Sequence, residues 1–101
     1  MSLLADRSSQ SEPQTRKAVL RRYCVSAAVD PSSLSRVIEQ FVLRDLVPSR
    51  VSSRLVEGTD PELRIDVDVA GLEDQEAEHV ARKLGQFPCV LRVLMDRAGA
   101  L

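Results

Sequence analysis

Residues 30–47, DPSSLSRVIEQFVLRDLV, decide how the rest of the chain is read. Leu34, Val37, Ile38 and Phe41 recur at the i, i+3, i+4, i+7 spacing of one helical face, while Ser35, Arg36, Glu39, Gln40 and Arg44 fill the other side. Asp30, Ser32 and Ser33 precede the first apolar position, and each carries an oxygen able to accept from the unpaired amides of a first turn. Pro31 suits that turn, because its ring fixes φ and it has no amide to satisfy. The helix is expected to close near Asp45, a residue type that tolerates left-handed geometry, and Pro48 forbids its continuation.

Working outward, a strand precedes this unit. Over about Leu20 to Val29, Tyr23, Val25, Ala27 and Val29 alternate with Cys24, Ser26, Ala28 and Asp30. A second strand is expected over Ser49 to Glu57, with Val51, Ser53 and Leu55 on one side and Arg50, Ser52 and Arg54 on the other. The turn Gly58-Thr59-Asp60-Pro61 leads into a third, Leu63 to Val69, in which Leu63, Ile65, Val67 and Val69 oppose Arg64, Asp66 and Asp68. With Glu57 opposite Leu63, Arg54 would face Asp66, a favourable cross-strand pair. Gly71 opens the next connection, and Glu73 and Asp74 put negative charge at a helix start. Ala77, Val80, Ala81 and Leu84 mark that helix's buried stripe, with Phe87 near its end and Pro88 beyond it. Val90 to Met95 forms the last strand.

The order strand, helix, strand, strand, helix, strand predicts an α+β fold of the ferredoxin-like βαββαβ type. Its four-stranded antiparallel sheet would carry both helices on one face. The other face would carry Arg50, Arg54, Arg64, Asp66 and Asp68, and a sheet so divided needs cover on one side only. Residues 1–19 are polar and aperiodic and are expected to form a disordered tail. The domain spans 20–96, and 97–101 form a short C-terminal tail.

Composition narrows the function classes. Apolar residues are 44% of the chain but aromatics only 3%, so the core is built from Val, Leu, Ile and Ala. A net charge of −1 leaves no surplus to hold a nucleic acid or an anionic membrane. No apolar run approaches the roughly 20 residues of a membrane span, and the first residues lack the pattern of a secretory leader, so a cytoplasmic location is expected. Cys24 and Cys89 stand singly and at opposite ends of neighbouring strands, roughly 15–20 Å apart, too far to be bridged. With one histidine they make no metal site.

No catalytic constellation emerges. His79 falls on the solvent side of the second helix. Asp66 and Asp68 project together from one strand, but Arg50, Arg54 and Arg64 share that face and would hold both ionised in a solvated mosaic of charge. The open sheet face lacks the aromatic residues on which nucleobases stack. The hydroxyls and amides of residues 30–33 are the feature best suited to a small anionic or carboxylate ligand. No cofactor or metal is called for.

The run AAVDPSSLSRVIEQFVLRDLVPSRVSSRL, residues 27–55, resembles the opening of an ACT domain, a small regulatory module of amino-acid metabolism. Asp30, Pro31, Leu34, Val37, Ile38 and Phe41 match its turn-and-helix pattern. The alternating strand 63–69 and the segment KLGQFPCVLRVLMD, residues 83–96, match its second half. Within that family the chain is similar to the short regulatory (small) subunit of acetolactate synthase, in branched-chain amino-acid biosynthesis. Where the family pattern has glycines, this chain has Ser32 or Ser33 in the turn and Asp45 at the helix end. The resemblance implies a non-enzymatic regulatory subunit that forms a homodimer and binds a large catalytic subunit, with acetolactate synthase the candidate. It implies an amino-acid effector held by Asp30, Pro31, Ser32, Ser33 and Leu34. The partner chain would contribute Pro48, Ser49, Arg50, Val51 and Ser52. The alternative it leaves open is a free-standing ACT-like amino-acid sensor or a dimerisation module for another partner.

Overall fold

The computed structural model describes residues 19–97. Of the tails expected over residues 1–19 and 97–101, residues 1–18 and 98–101 lie outside the described residues, and Arg97 closes the last strand. Six elements follow the predicted order: β1 (Leu20–Ala27), α1 (Pro31–Val42), β2 (Arg50–Val56), β3 (Glu62–Ala70), α2 (Asp74–Gly85) and β4 (Val90–Arg97). The strands form one antiparallel sheet in the order β2-β3-β1-β4, with α1 and α2 on one face, which is the ferredoxin-like arrangement.

The core lies between β1, β3 and the two helices. Tyr23, Val25 and Ala27 from β1 and Ile65, Val67 and Val69 from β3 meet Val37 and Phe41 of α1 and Ala77, Val80 and Leu84 of α2. These are the alternating and i, i+3/4 positions of the sequence pattern, and all are fully buried. Tyr23 joins the layers. Its ring meets Phe41 edge-on at 5.4 Å, and its hydroxyl donates to the Ala77 carbonyl at 2.8 Å.

Helix α1 ends as its sequence suggests. Asp45 has φ 59°, and among the described residues no other non-glycine residue has a positive φ. The Leu46 amide donates to the Phe41 carbonyl and the Asp45 amide to the Val42 carbonyl, at 2.9 and 3.0 Å. This double closure satisfies carbonyls that the helix would otherwise leave open, and it folds Leu46 back against the core. At α2 a reciprocal capping box forms between Glu73 and Glu76.

Four details depart from the expectations. β1 ends at Ala27, so Val29 lies beyond the strand and is exposed rather than inward. The β2–β3 register is shifted by two residues: Leu55 faces Leu63, Arg54 faces Arg64, Ser52 faces Asp66 and Arg50 faces Asp68. The expected Arg54–Asp66 pair therefore does not form. A two-residue shift leaves every side chain on its own face, so hydrophobic patterning is blind to it. The turn chemistry decides it instead, with Glu62 entering the strand directly after Pro61. The inward side of β2 is not covered, and Val51 and Leu55 remain about half exposed. Finally, Arg21 sits on the helix-covered face, buried, where it donates to the Leu72 carbonyl at 3.1 Å and pairs with Asp74 at 2.6 Å.

Because Asp45 holds a conformation that costs an ordinary L-residue roughly 1–2 kcal/mol, Asp45→Gly is expected to stabilise the domain by about 0.5–1 kcal/mol after glycine's own entropy cost. Asp45→Val, being β-branched, should destabilise it by a similar or larger amount. Urea denaturation of the two variants beside the parent checks both signs.

Candidate functional site

The loop between β1 and α1 is built around Asp30. Its Oδ1 accepts from the Ser32 amide at 2.8 Å and from the Ser32 hydroxyl at 2.7 Å. Its backbone carbonyl accepts from the Ser33 amide at 3.0 Å. The two bonds from Ser32 favour the ionised carboxyl and hold its pKa below the usual aspartate value. Ser33 is fully buried and donates from its hydroxyl to the Ala28 carbonyl at 2.9 Å, tying the helix start to the end of β1. Ser35 donates to the Ser32 carbonyl at 3.0 Å. The amides of residues 32 and 33, the anion-binding groups in the sequence reading, are thus engaged by Asp30 itself.

What the loop does frame is a largely apolar cleft of about 390 Å³, lined by Val29, Asp30, Pro31, Leu34, Ser53, Leu55 and Leu63. Three of the five expected loop residues, Asp30, Pro31 and Leu34, line it. Ser32 stays at the exposed surface, and Ser33 serves the backbone below. The opposite wall comes from β2 and β3, because the helix layer stops short of β2. Ser53, Leu55 and Leu63 carry no local signal for this role, since their faces read simply as core.

Pro48, Ser49, Arg50, Val51 and Ser52 stand at the other end of β2. Ser49 donates to the Asp68 carbonyl from its amide at 2.8 Å and from its hydroxyl at 3.3 Å. Arg50 and Ser52 point to the open sheet face, where they border a small polar cleft of about 180 Å³ with Arg22, Asp66 and Asp68. Asp68 is not solvated there as expected. It is buried, and the Arg22 guanidinium grips both its oxygens at 2.7 and 2.9 Å, which holds its carboxyl ionised and its pKa low. In one chain, residues 30–34 and 48–52 lie at opposite ends of the sheet.

A further cleft of about 420 Å³ separates the end of α1 from the start of α2, with Arg44, Leu46, Leu72, Glu76 and His79 on its walls. His79 is exposed, as its position on the helix implied. Cys24 lies opposite Leu94, while the Cys89 carbonyl accepts from the Ala28 amide; about five residues of strand, or roughly 16 Å, divide the two cysteines. Among the described residues no cluster of His, Cys, Asp and Glu is arranged to hold a metal ion, and no helix is long and apolar enough to cross a membrane.

The chain is similar to proteins of known structure. A family model described as an ACT-like domain matches residues 14–101. The C-terminal domain of the MgtC protein from Mycobacterium tuberculosis matches with TM-score 0.65 and 14% identity, over 84% of this chain and 94% of that one. The ACT domain of GTP pyrophosphokinase from Chlorobium tepidum matches with TM-score 0.64 and 9% identity, over 78% of this chain and 99% of that one. No curated protein matches the chain.

Replacing Asp30 with alanine removes the cap and is expected to lower the melting temperature by several degrees. A carboxyl whose folded pKa is depressed stabilises the fold above its unfolded value, ~3.9, and loses that contribution as pH falls through the lower folded value. The gap in melting temperature between parent and Asp30→Ala should therefore be full at neutral pH and close in acid, which a thermal melt series from neutral pH into acid reads directly.

Proposed function

The chain belongs to the ACT-like domain family, and from that premise we propose a non-catalytic regulatory module that pairs with a second copy through β2 and takes an amino acid in the cleft beside Asp30 and Leu34. The observation that carries this reading is the state of β2. It is an edge strand, exposed on both faces, with Val51 and Leu55 turned toward the uncovered side of the helix layer. An unpaired edge beside exposed apolar side chains is a template for another strand.

A two-fold axis through the middle of β2 gives the rest. Antiparallel pairing of β2 with its copy brings the start of one strand beside the end of the other. The partner's residues 48–52 then come alongside Leu55 and the loop 29–34 of the first chain, so a cleft open in one chain gains a further wall. Its lining in Val29, Pro31, Leu34, Leu55 and Leu63 suits an aliphatic side chain, with Ser53 and the Asp30 carboxylate as polar contacts at the rim.

The enzyme regulated is proposed from sequence resemblance. Residues 27–55 are similar to the regulatory subunit of acetolactate synthase, which makes the large catalytic subunit of that enzyme the partner to try first. The alternative is a free-standing ACT-like amino-acid sensor or a dimerisation module for another partner.

Sedimentation velocity is expected to show a dimer that Leu55→Arg converts to monomer while the fold persists. Valine, leucine or isoleucine should raise the melting temperature of the parent and not of Leu55→Arg. Mixing with the large subunit should change the rate of pyruvate condensation or its sensitivity to valine. A monomeric parent removes the pairing through β2. A ligand-stabilised dimer without effect on the synthase removes that partner and favours the sensor.

A further inference from the structure

The open face of the sheet carries its charges in rows across the strands. One row runs Arg50, Asp68, Arg22, Asp96, alternating in sign; the next runs Ser52, Asp66, Cys24, Leu94. The third, at the hairpin end, runs Arg54, Arg64, Ser26, Arg92. Here Arg54 stands directly opposite Arg64, a cross-strand pair of like charges that destabilises a sheet. The acid in contact with this row is Glu62, whose Oε2 accepts from the Ser26 hydroxyl at 3.2 Å and lies 3.7 Å from Arg64. Arg92 donates to Ser26 at 3.2 Å. Arg54 has no acid within ion-pair distance among the described residues. Among the described residues, then, Arg64 is the one arginine of the row with an acid at ion-pair distance, Glu62, and Arg54 and Arg92 have none.

We propose that this arginine row docks an acidic segment of a partner protein, carboxylates in line across the strands. The shape of the row argues for a line of carboxylates over a single ion. Strands about 4.8 Å apart spread Arg54, Arg64 and Arg92 over roughly 14 Å, so they do not converge on one point as a phosphate site requires. The guanidinium fork matches carboxylates two oxygens at a time. Nucleic acid is the poorer fit, because Tyr23 and Phe41 are buried on the helix side and this face offers no ring on which a base could stack. Leu94, 59% exposed in the adjoining row, gives the same surface an apolar contact beside its arginines. The docking of an acidic segment here requires neither pairing through β2 nor a ligand in the cleft, although Arg54 lies on that strand.

The test uses the full chain with a fluorescently labelled oligoglutamate peptide, read by anisotropy at low salt and by amide chemical shifts. Saturable binding is expected, with shifts at residues 26, 54, 64 and 92. Arg54→Glu and Arg92→Glu should each weaken it by about tenfold, whereas Arg36→Glu, the same charge change on α1, should alter it by less than about twofold. Arg54→Glu should at the same time raise the melting temperature, since it places an acid opposite Arg64; loss of binding then cannot be loss of fold. Equal weakening by Arg36→Glu, shifts that map elsewhere, tighter binding of oligouridylate, or the same shifts from inorganic phosphate would each overturn the proposal.

Discussion

Tyr23 is the side chain on which the two layers depend. It rises from the central strand β1, places its ring edge-on to Phe41 of α1, and sends its hydroxyl to the backbone of α2 at Ala77. Burial pushes its phenol up to about 12, so it stays neutral at physiological pH and the buried hydroxyl donates without a charge to solvate. In a core built otherwise from apolar side chains, one polar aromatic residue sets where both helices sit over the sheet. The helix layer is thereby centred on β1, with β3 and β4 on either side of it, and β2 is left at the uncovered margin.

That placement explains which parts of the fold were legible from sequence. The six elements, their faces and the left-handed end of α1 follow from local pattern, since Asp45, Pro48 and the i, i+3, i+4 spacing each act within a few residues. The β2–β3 register is different. Arg54 opposite Asp66 and Arg54 opposite Arg64 both keep Val51, Ser53 and Leu55 on one face, so the hydrophobic pattern admits either. Pair chemistry favoured the arrangement that does not occur.

Arg21 was invisible for a related reason. A charged residue on the covered face is stable only with partners to satisfy it, and these, the Leu72 carbonyl and Asp74, lie about fifty residues away in sequence. The candidate cleft was half legible on the same grounds. Asp30, Pro31 and Leu34 announce themselves in a helix-start motif, while Leu55 and Leu63 look like core until the helix layer is seen to stop short of them.

The margin of the sheet is also where its two exposed surfaces come closest. Along β2, Ser53 and Leu55 face the cleft while Arg54 between them faces the arginine row; along β3, Leu63 faces the cleft and Arg64 the row. Period-two alternation makes this unavoidable, because adjacent residues of one strand must serve opposite faces. A backbone displacement at residues 53–55 therefore moves groups on both surfaces together. β1 and β3 are pinned by fully buried side chains, and β2 is held by one neighbouring strand and little else, so the least anchored strand is the one both surfaces share. A rigid centre with a lightly held edge is the mechanical arrangement in which contact on one face of a small sheet is felt on the other.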